Sequence, residues 1–289
     1  MKAFDFHVHV FSPKTREKRE ELSRRDPLFG LLYGDPKAKM VGIEEVLNMI
    51  EEEDLLGAVI CGFPWKELDW CKRENDYLLE VHEKYPGLFP FVSFTLDDPG
   101  FKELERVSRF GAKGVGELAP GTYGKGPLDK GMLEELFSVI RQLGLIALIH
   151  VNEPVGHFYP GKGEISLKDI ELLVKTSQGV RIVLAHLGGG FLFYELMPEI
   201  RNMAQNVYYD TAALPLLYEP KALKVALEIA PSKILFGTDY PLLGPKRYFK
   251  ALEEASLLEE HKEAFLFKNA LNLLGKEGKA LSWKRAGIF

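Results

Sequence analysis

Histidine and aspartate side chains end four short apolar runs in this sequence. The first run, residues 4–10, contains two histidines separated by one residue. The other three runs are residues 145–150, 180–186 and 234–239. The end residues are His7 and His9, His150, His186, and Asp239. Since a strand alternates its faces with period two, the paired histidines are expected to point the same way. Imidazole and carboxylate groups are ligands of divalent metals, so four such strand ends predict a bound metal and catalysis by metal-activated water.

Strand and helix signals alternate along the 289 residues that would have to position these groups. Apolar residues with helical spacing occupy 43–50 and 133–140, between predicted strands. The eight predicted strands are 3–10, 57–62, 88–94, 112–118, 145–151, 180–186, 206–211 and 233–238. Alternating strands and helices indicate an α/β fold with a parallel sheet, and eight units favour a closed (β/α)8 TIM barrel. Ligands at the C-terminal ends of its strands would then converge on one point.

The length fits one barrel of about 250 residues, so we expect a single domain over 1–289. Two connections, 11–40 and 152–165, exceed the usual loop length. Loops that follow barrel strands surround the active site. We therefore predict that 11–40 is a lid insertion after the first strand and that 152–165 contributes to the substrate pocket. A charged, solvated excursion is the alternative for 11–40, although the apolar residues near Phe29 argue against it.

The amino-acid composition limits the classes of partner that this protein is expected to bind. The net charge of −5 offers no basic excess for binding nucleic acid, and no apolar run reaches about 18 residues, the length that predicts a membrane span. Two cysteines, Cys61 and Cys71, are too few for a disulfide framework. No signal-peptide pattern precedes the first strand, so a cytoplasmic location is expected. The expected partner is a small-molecule substrate, and a homo-oligomer is compatible with the sequence.

The chain resembles the amidohydrolase superfamily, in its amidohydrolase-related branch of decarboxylases, lactonases and other hydrolases. The resemblance extends from residue 3 to about 275, and its ordered set of ligand-type positions is specific, whereas His-x-His alone is weak. The matching features are His7-Val8-His9, Gly114-Val115-Gly116-Glu117-Leu118, His150, His186, Gly237-Thr238-Asp239-Tyr240-Pro241 and Phe267-Lys268-Asn269-Ala270.

The resemblance implies a role for each matching histidine and aspartate. His7, His9 and His150 would bind a divalent metal. Asp239 would contact the metal and accept the proton of the metal-bound water, although an aspartate there could instead cap a helix. His186 would either bind a second metal or face the substrate as an electrophile or proton donor.

Glu117 leaves the number of metals open. It matches an acid on the fourth strand that binds metal in the TatD-type nucleases, a neighbouring branch, whereas other branches have a carboxylated lysine or no ligand there. By strand alternation it could also form an ion pair with Lys113. Zinc is the expected metal, as one or two ions, and manganese, iron and cobalt are alternatives because such sites accept them as well.

Four residues in presumed strand-to-helix loops are candidates for substrate binding, with a solvated role open for each: His157, Tyr123, Tyr159 and Lys162. The leading functional hypothesis is a metal-dependent hydrolase that cleaves an amide, ester, lactone or similar bond. The alternative is a nonoxidative decarboxylase of an aromatic or unsaturated acid. A TatD-type nuclease and a non-catalytic binding barrel are weaker hypotheses. A second metal on Glu117 would favour hydrolysis, and one metal with His186 facing the substrate would favour decarboxylation.

Overall fold

Eight parallel strands follow one another in sequence order around a single sheet in the computed structural model, which describes residues 1–119, 128–255 and 257–276. The strands are β1 (Ala3–His9), β2 (Leu55–Cys61), β3 (Leu88–Val92), β4 (Gly114–Leu118), β5 (Ile146–Ile149), β6 (Ile182–Leu184), β7 (Val207–Asp210) and β8 (Ile234–Leu235). The amides of Phe6 and His9 donate to the carbonyls of Phe236 and Tyr240, both at 2.8 Å, and so join the segment that follows β8 to the first strand. The predicted TIM barrel and the positions of its eight strands are confirmed.

Helices cover the outside of the barrel and part of its rim. They are α1 (Pro13–Glu17), α2 (Arg19–Arg25), α3 (Pro27–Tyr33), α4 (Ile43–Glu52), α5 (Leu68–Lys84), α6 (Asp98–Arg109), α7 (Lys130–Leu143), α8 (Leu167–Thr176), α9 (Pro198–Met203), α10 (Leu214–Leu217), α11 (Lys221–Ile229), α12 (Pro245–Ala255), α13 (Glu259–Glu263) and α14 (Asn269–Leu273). A 3₁₀ segment, His186–Leu196, follows β6, and a π-helical turn, Ala264–Lys268, precedes α14. Within the described ranges, no helix has the length and apolar content needed to cross a bilayer.

Two apolar layers give each strand a defined inside and outside. The layer between strands and helices includes Ala147 and Ile149 of β5, whereas Ile146 and Leu148 belong to the layer inside the barrel. This inner layer is closed at the base by α14 and consists of Phe4, Phe6, Val59, Cys61, Phe89, Phe91, Ile146, Leu148, Val183, Ala185, Leu235, Ala270 and Leu273. Alternation along β5 therefore directs the next inner position, His150, into the open end of the barrel.

Bulges interrupt β1 and β4 just before their metal-type residues. Three steps along β1, from Asp5 to Val8, match two steps along β2, and three steps from Val115 to Leu118 match two along β5. Since Val115 packs outside the barrel, a regular pleat through the same residues would also point Glu117 outwards, and the bulge turns it inwards instead. Gly116 permits this bulge: its φ is 132°, and a Cβ there would lie 2.4 Å from the Leu148 carbonyl oxygen. The Glu117 carboxylate is thereby turned away from the face of Lys113.

Residues 11–40 form α1 to α3 and pack against the segment after β2. Leu28 and Phe29 of α3 are buried in an aromatic cluster with Phe63 and Trp65. Asp26 caps α3 by accepting from the Leu28 and Phe29 amides, and its second oxygen accepts from the Lys66 amide at 3.0 Å. The segment is therefore not a purely solvated excursion, while its action as a lid stays a prediction.

Candidate metal centre

Six side chains with metal-binding atoms meet at the C-terminal end of the barrel. They form two groups, and the ligand atoms within each lie within 4.8 Å of one another. The first group is His7, His9 and Asp239, and the second is Glu117, His150 and His186. Every metal-type residue expected from the sequence is thus placed in one or the other group.

The first group joins β1 to the segment after β8. The Nε2 atoms of His7 and His9 are 3.1 Å apart, and that of His9 is 3.3 Å from Asp239 Oδ1. Both imidazoles point into the same space, as their spacing predicts. Asp239 has φ 64°, and its carboxylate faces the histidines. It does not cap the next helix, because that helix begins only at Pro245.

The second group joins β4 to the ends of β5 and β6. His150 Nδ1 lies 2.8 Å from Glu117 Oε1 and 3.2 Å from His186 Nε2. Because Ala185 faces the barrel interior, regular alternation would send His186 outwards. Its φ of 57° turns the chain instead, and the Nδ1 of the ring lies 2.8 Å from the carbonyl oxygen of Ala212. That hydrogen bond fixes Nδ1 as the donor and leaves Nε2 free for a metal.

Glu117 lies between the two groups. Its Oε1 faces the second group, while its Oε2 is 3.6 Å from Nε2 of both His7 and His9. Its carboxylate therefore contacts histidines from both halves, and the ion pair with Lys113 considered from the sequence is not formed. One carboxylate with an oxygen on each side has the arrangement needed to bridge two cations.

Opposed pKa shifts describe the charge balance of this cluster. Burial disfavours charge on each group, but the neighbouring histidines outweigh it and hold the pKa of Glu117 well below its usual value. The same competition sets the pKa of Asp239 at about 2, with the His9 hydrogen bond as the main opposing cause. Burial lowers the pKa of His7, but the carboxylates of Asp210 and Glu117 outweigh it and raise that pKa well above its usual value. At His186 the Glu117 carboxylate outweighs burial in the same way and raises the pKa to about 9. The buried, ionised carboxylates are thus stabilised by positive charge between them, and a divalent cation bound by nitrogen and oxygen donors would supply that charge.

Asp210 positions both halves of the centre and was missed in the sequence analysis. Its Oδ2 lies 2.8 Å from Nδ1 of His7, while its Oδ1 accepts from the backbone amides of His186 and Ala212, both at 3.0 Å. It is completely buried at the end of β7. The signal was present, because this strand also ends on an acidic residue.

Asp5 fixes the first group from below. Its carboxylate is fully buried and accepts from the His7 amide at 3.1 Å, the Thr238 amide at 3.0 Å and the Thr238 hydroxyl at 2.6 Å. Burial raises the pKa of Asp5 to about 7 despite these hydrogen bonds. These contacts tie β1 to the segment after β8, the two elements that carry the first group.

Three of the four candidate substrate residues lie beside a cavity of about 480 Å³ on the same end of the barrel. His157, Tyr159 and Lys162 line it, whereas Tyr123 lies outside the described residues. The Lys162 ammonium donates to the carbonyl oxygens of Val155 at 2.6 Å and His157 at 3.1 Å. A substrate-binding role for each of these residues stays a prediction.

Known families and folds agree with this architecture. The sequence profile of the family described as amidohydrolase matches residues 4–276. No curated protein is similar enough in sequence to match. A 5-carboxyvanillate decarboxylase from Sphingomonas paucimobilis has a similar structure, with a TM-score of 0.76 at 15% identity over 95% of this chain and 99% of its own.

Two further solved structures share the fold. A dihydroxybenzoic acid decarboxylase from a Polaromonas species, with bound manganese and the inhibitor 2-nitroresorcinol, has a TM-score of 0.72 at 16% identity over 95% of this chain and 97% of its own. A Pseudomonas putida protein assigned as a 2-pyrone-4,6-dicarboxylic acid hydrolase has a TM-score of 0.66 at 18% identity over 95% and 98%. At these identities the similarity concerns the fold.

Proposed function

The chain belongs to the amidohydrolase family, and from that premise we propose that it is a hydrolase that holds two divalent metal ions and cleaves a small molecule at an amide, ester, lactone or similar bond. The observation that carries this proposal is the position of Glu117. Its two oxygens face separate groups of ligand atoms, and each group offers two or three further donors. Two-metal sites are typical of hydrolytic enzymes, in which the ions stabilise the attacking and leaving oxygens.

The donor atoms divide between the two ions. His7, His9 and Asp239 would hold the first, His150 and His186 the second, and Glu117 would contact both. A metal ion lowers the pKa of bound water from about 15.7 toward 7, which supplies a nucleophile at neutral pH. We propose zinc as the resident metal, with manganese as the first alternative in view of the manganese-bound decarboxylase of similar fold.

Asp239 is the proposed proton acceptor. Its carboxylate is ionised, since the surrounding histidines hold its pKa at about 2, and 16% of the side chain is exposed at the open end of the barrel. It would take the proton of the attacking water and deliver it to the leaving group. His186, oriented by Ala212, would bind the second ion with the nitrogen that faces Glu117.

Nonoxidative decarboxylation of an aromatic or unsaturated acid is the second candidate. Its support is that two of the solved structures with this fold are decarboxylases of aromatic acids. In that case one metal would suffice, and His186 would face the substrate. The number of metals and the fate of water therefore separate the two reactions.

The test combines metal analysis with product analysis. Wild type should contain roughly two equivalents of metal, and Glu117→Gln should lose about one because a bridging oxygen has become a weakly binding amide. Glu105→Gln, an exposed change on α6, serves as the matched control. A panel of amides, esters, lactones and aromatic carboxylates in ¹⁸O-labelled water should yield a labelled product without carbon dioxide. One equivalent that does not depend on Glu117, together with carbon dioxide release, would replace this proposal by decarboxylation.

A further inference from the structure

The ring of Tyr33, the last residue of α3, packs at the open end of the barrel beside the strands that carry the metal centre. Its centre lies 4.9 Å from the ring centre of Phe11 and 6.0 Å from that of Phe63, which follow the ends of β1 and β2 by two residues. The same apolar cluster includes Ala119, two residues beyond Glu117. Tyr33 therefore packs next to the ends of β1 and β4, both of which carry proposed metal ligands.

The end of α3 also reaches the opposite side of the barrel. A Cβ at Gly161, in the loop after β5, would lie 3.0 Å from Cδ2 of Leu32, the residue before Tyr33. Since β1 and β5 lie on opposite sides of an eight-stranded barrel, α3 extends across its open end. Arg19 fixes this position: its Nε donates to the Tyr33 carbonyl at 2.6 Å, and its guanidinium also donates to the Ala38 carbonyl at 2.8 Å.

The hydroxyl of Tyr33 is directed toward the charges of the metal centre. Burial is the largest cause of its raised pKa, and the charged side chains that act on it most strongly are Asp239 and Glu117, which raise the pKa, and His7, which lowers it. All three belong to the centre, so the hydroxyl lies within electrostatic reach of both halves. With a raised pKa, the hydroxyl stays protonated at neutral pH and remains a hydrogen-bond donor.

This donor is unused and accessible. Within the described ranges the Tyr33 hydroxyl makes no hydrogen bond, and it does not belong to the unpartnered polar atoms that are closed off from solvent, as the Nε1 atoms of Trp65 and Trp70 do. The ring is already fixed by its aromatic neighbours, so little side-chain freedom would be lost when the hydroxyl binds a ligand. A fixed donor that faces the place where negative charge develops stabilises the transition state of hydrolysis.

We propose that Tyr33 is a substrate-binding residue, whose hydroxyl donates a hydrogen bond to the substrate oxygen on which negative charge develops as water attacks. The proposal rests on the proposed hydrolase function, because it assigns this donor to the group under attack. It also gives the segment 11–40 a chemical role, since α3 brings to the centre a neutral donor that the barrel strands do not supply there.

Binding of orthophosphate tests this role without a known substrate. Phosphate is a tetrahedral oxyanion and resembles an acyl group after the attack of water, the species that a hydrolase binds most tightly. It is titrated calorimetrically into wild type, Tyr33→Phe and Tyr85→Phe, each metal-loaded and chelator-treated. Tyr33→Phe removes the hydroxyl and keeps the ring. Tyr85→Phe is the matched control, the same change at a half-buried tyrosine that follows α5 at the other end of the barrel.

Metal-loaded wild type and Tyr85→Phe should bind phosphate about tenfold more tightly than Tyr33→Phe, as expected for one hydrogen bond to a charged group. Metal content and thermal unfolding, measured on the same samples, should be equal in all three proteins. After chelator treatment the difference in phosphate affinity should disappear, because the anion is then no longer held at the centre.

Equal phosphate affinity in wild type and Tyr33→Phe, an equal loss in Tyr85→Phe, or a difference that persists without metal would overturn the assignment of Tyr33. So would metal-loaded wild type that does not bind phosphate, or a loss of metal in Tyr33→Phe alone, which would make the residue a support of the ligands. A wild type that holds no metal would instead overturn the hydrolase proposal itself, so the two failures are distinguishable.

Discussion

The two halves of the metal centre use similar donors but differ in what supports them. His7 of the first half is completely buried, and the carboxylates of Asp210 and Asp5 fix its side chain and its backbone. In the second half, His186 is oriented by a main-chain carbonyl, and 16% of the His150 side chain is exposed. Two buried carboxylates support the first half, whereas exposure does not separate the halves, since Asp239 and His150 are both 16% exposed. We infer that the first half anchors metal more firmly than the second.

The largest expected effect is a difference in metal content between variants of the first half and a variant of the second half. The double variant His7→Ala/His9→Ala should lose nearly all bound metal and all activity, because two of the three donors of the anchoring half are gone. His150→Ala should still retain roughly one equivalent in the first half. Elemental analysis of the purified variants measures both quantities.

His261→Ala, on α13 and outside the centre, is the matched control and should keep the wild-type content. Equal metal loss in His7→Ala/His9→Ala and His150→Ala would show that the halves bind metal only as a unit. Unchanged content in the double variant would remove the site assignment itself.

A smaller effect concerns proton transfer in the first half. Asp239→Asn preserves the shape of the side chain but removes the proton acceptor, so kcat should fall by about 10²–10⁴-fold. The comparison is made at equal metal occupancy, because Asp239 is also a proposed ligand. A fall of less than about threefold, far below that range, would transfer the role of proton acceptor to His186 or Glu117.

The smallest effect tests the support of the first half. Asp210→Asn keeps an acceptor for the backbone amides of His186 and Ala212 but weakens the charged contact to His7 Nδ1. Loss of such a contact typically lowers metal affinity about 10–100-fold, and we expect that loss in the first half alone. Competition with a chromophoric chelator resolves the two affinities. A loss confined to the second half would reverse the comparison.

Most of the fold and the ligand set could be predicted because they depend on local patterns. Each strand has a buried apolar run, and the ligands follow at the ends of β5, β6 and β8, where alternation and chain ends are visible in sequence. Asp210 has the same signal, but acidic residues are common at strand ends, and its partner His7 is 203 positions away in the chain.

Other parts of the site depend on backbone geometry that the sequence shows only indirectly. Strand alternation alone would have sent Glu117 to the outer face and His186 away from the centre. A bulge corrects the first, and a run of positive φ values from His186 to Gly190 corrects the second. The three consecutive glycines at 188–190 were the available signal for that run, since glycine adopts positive φ at little cost.

Because of the bulge in β4, the alternation of inward and outward residues is shifted by one position between the barrel core and the ligand Glu117. Below the bulge, the strand's alternation serves the packing of the barrel, and beyond it the same alternation serves the site. A regular pleat through the same residues would turn Glu117 to the outside without altering a single apolar side chain. A chain of this kind can thus gain or lose a metal ligand through the pleating of one strand, a shorter evolutionary step than replacing the ligand and repacking its surroundings.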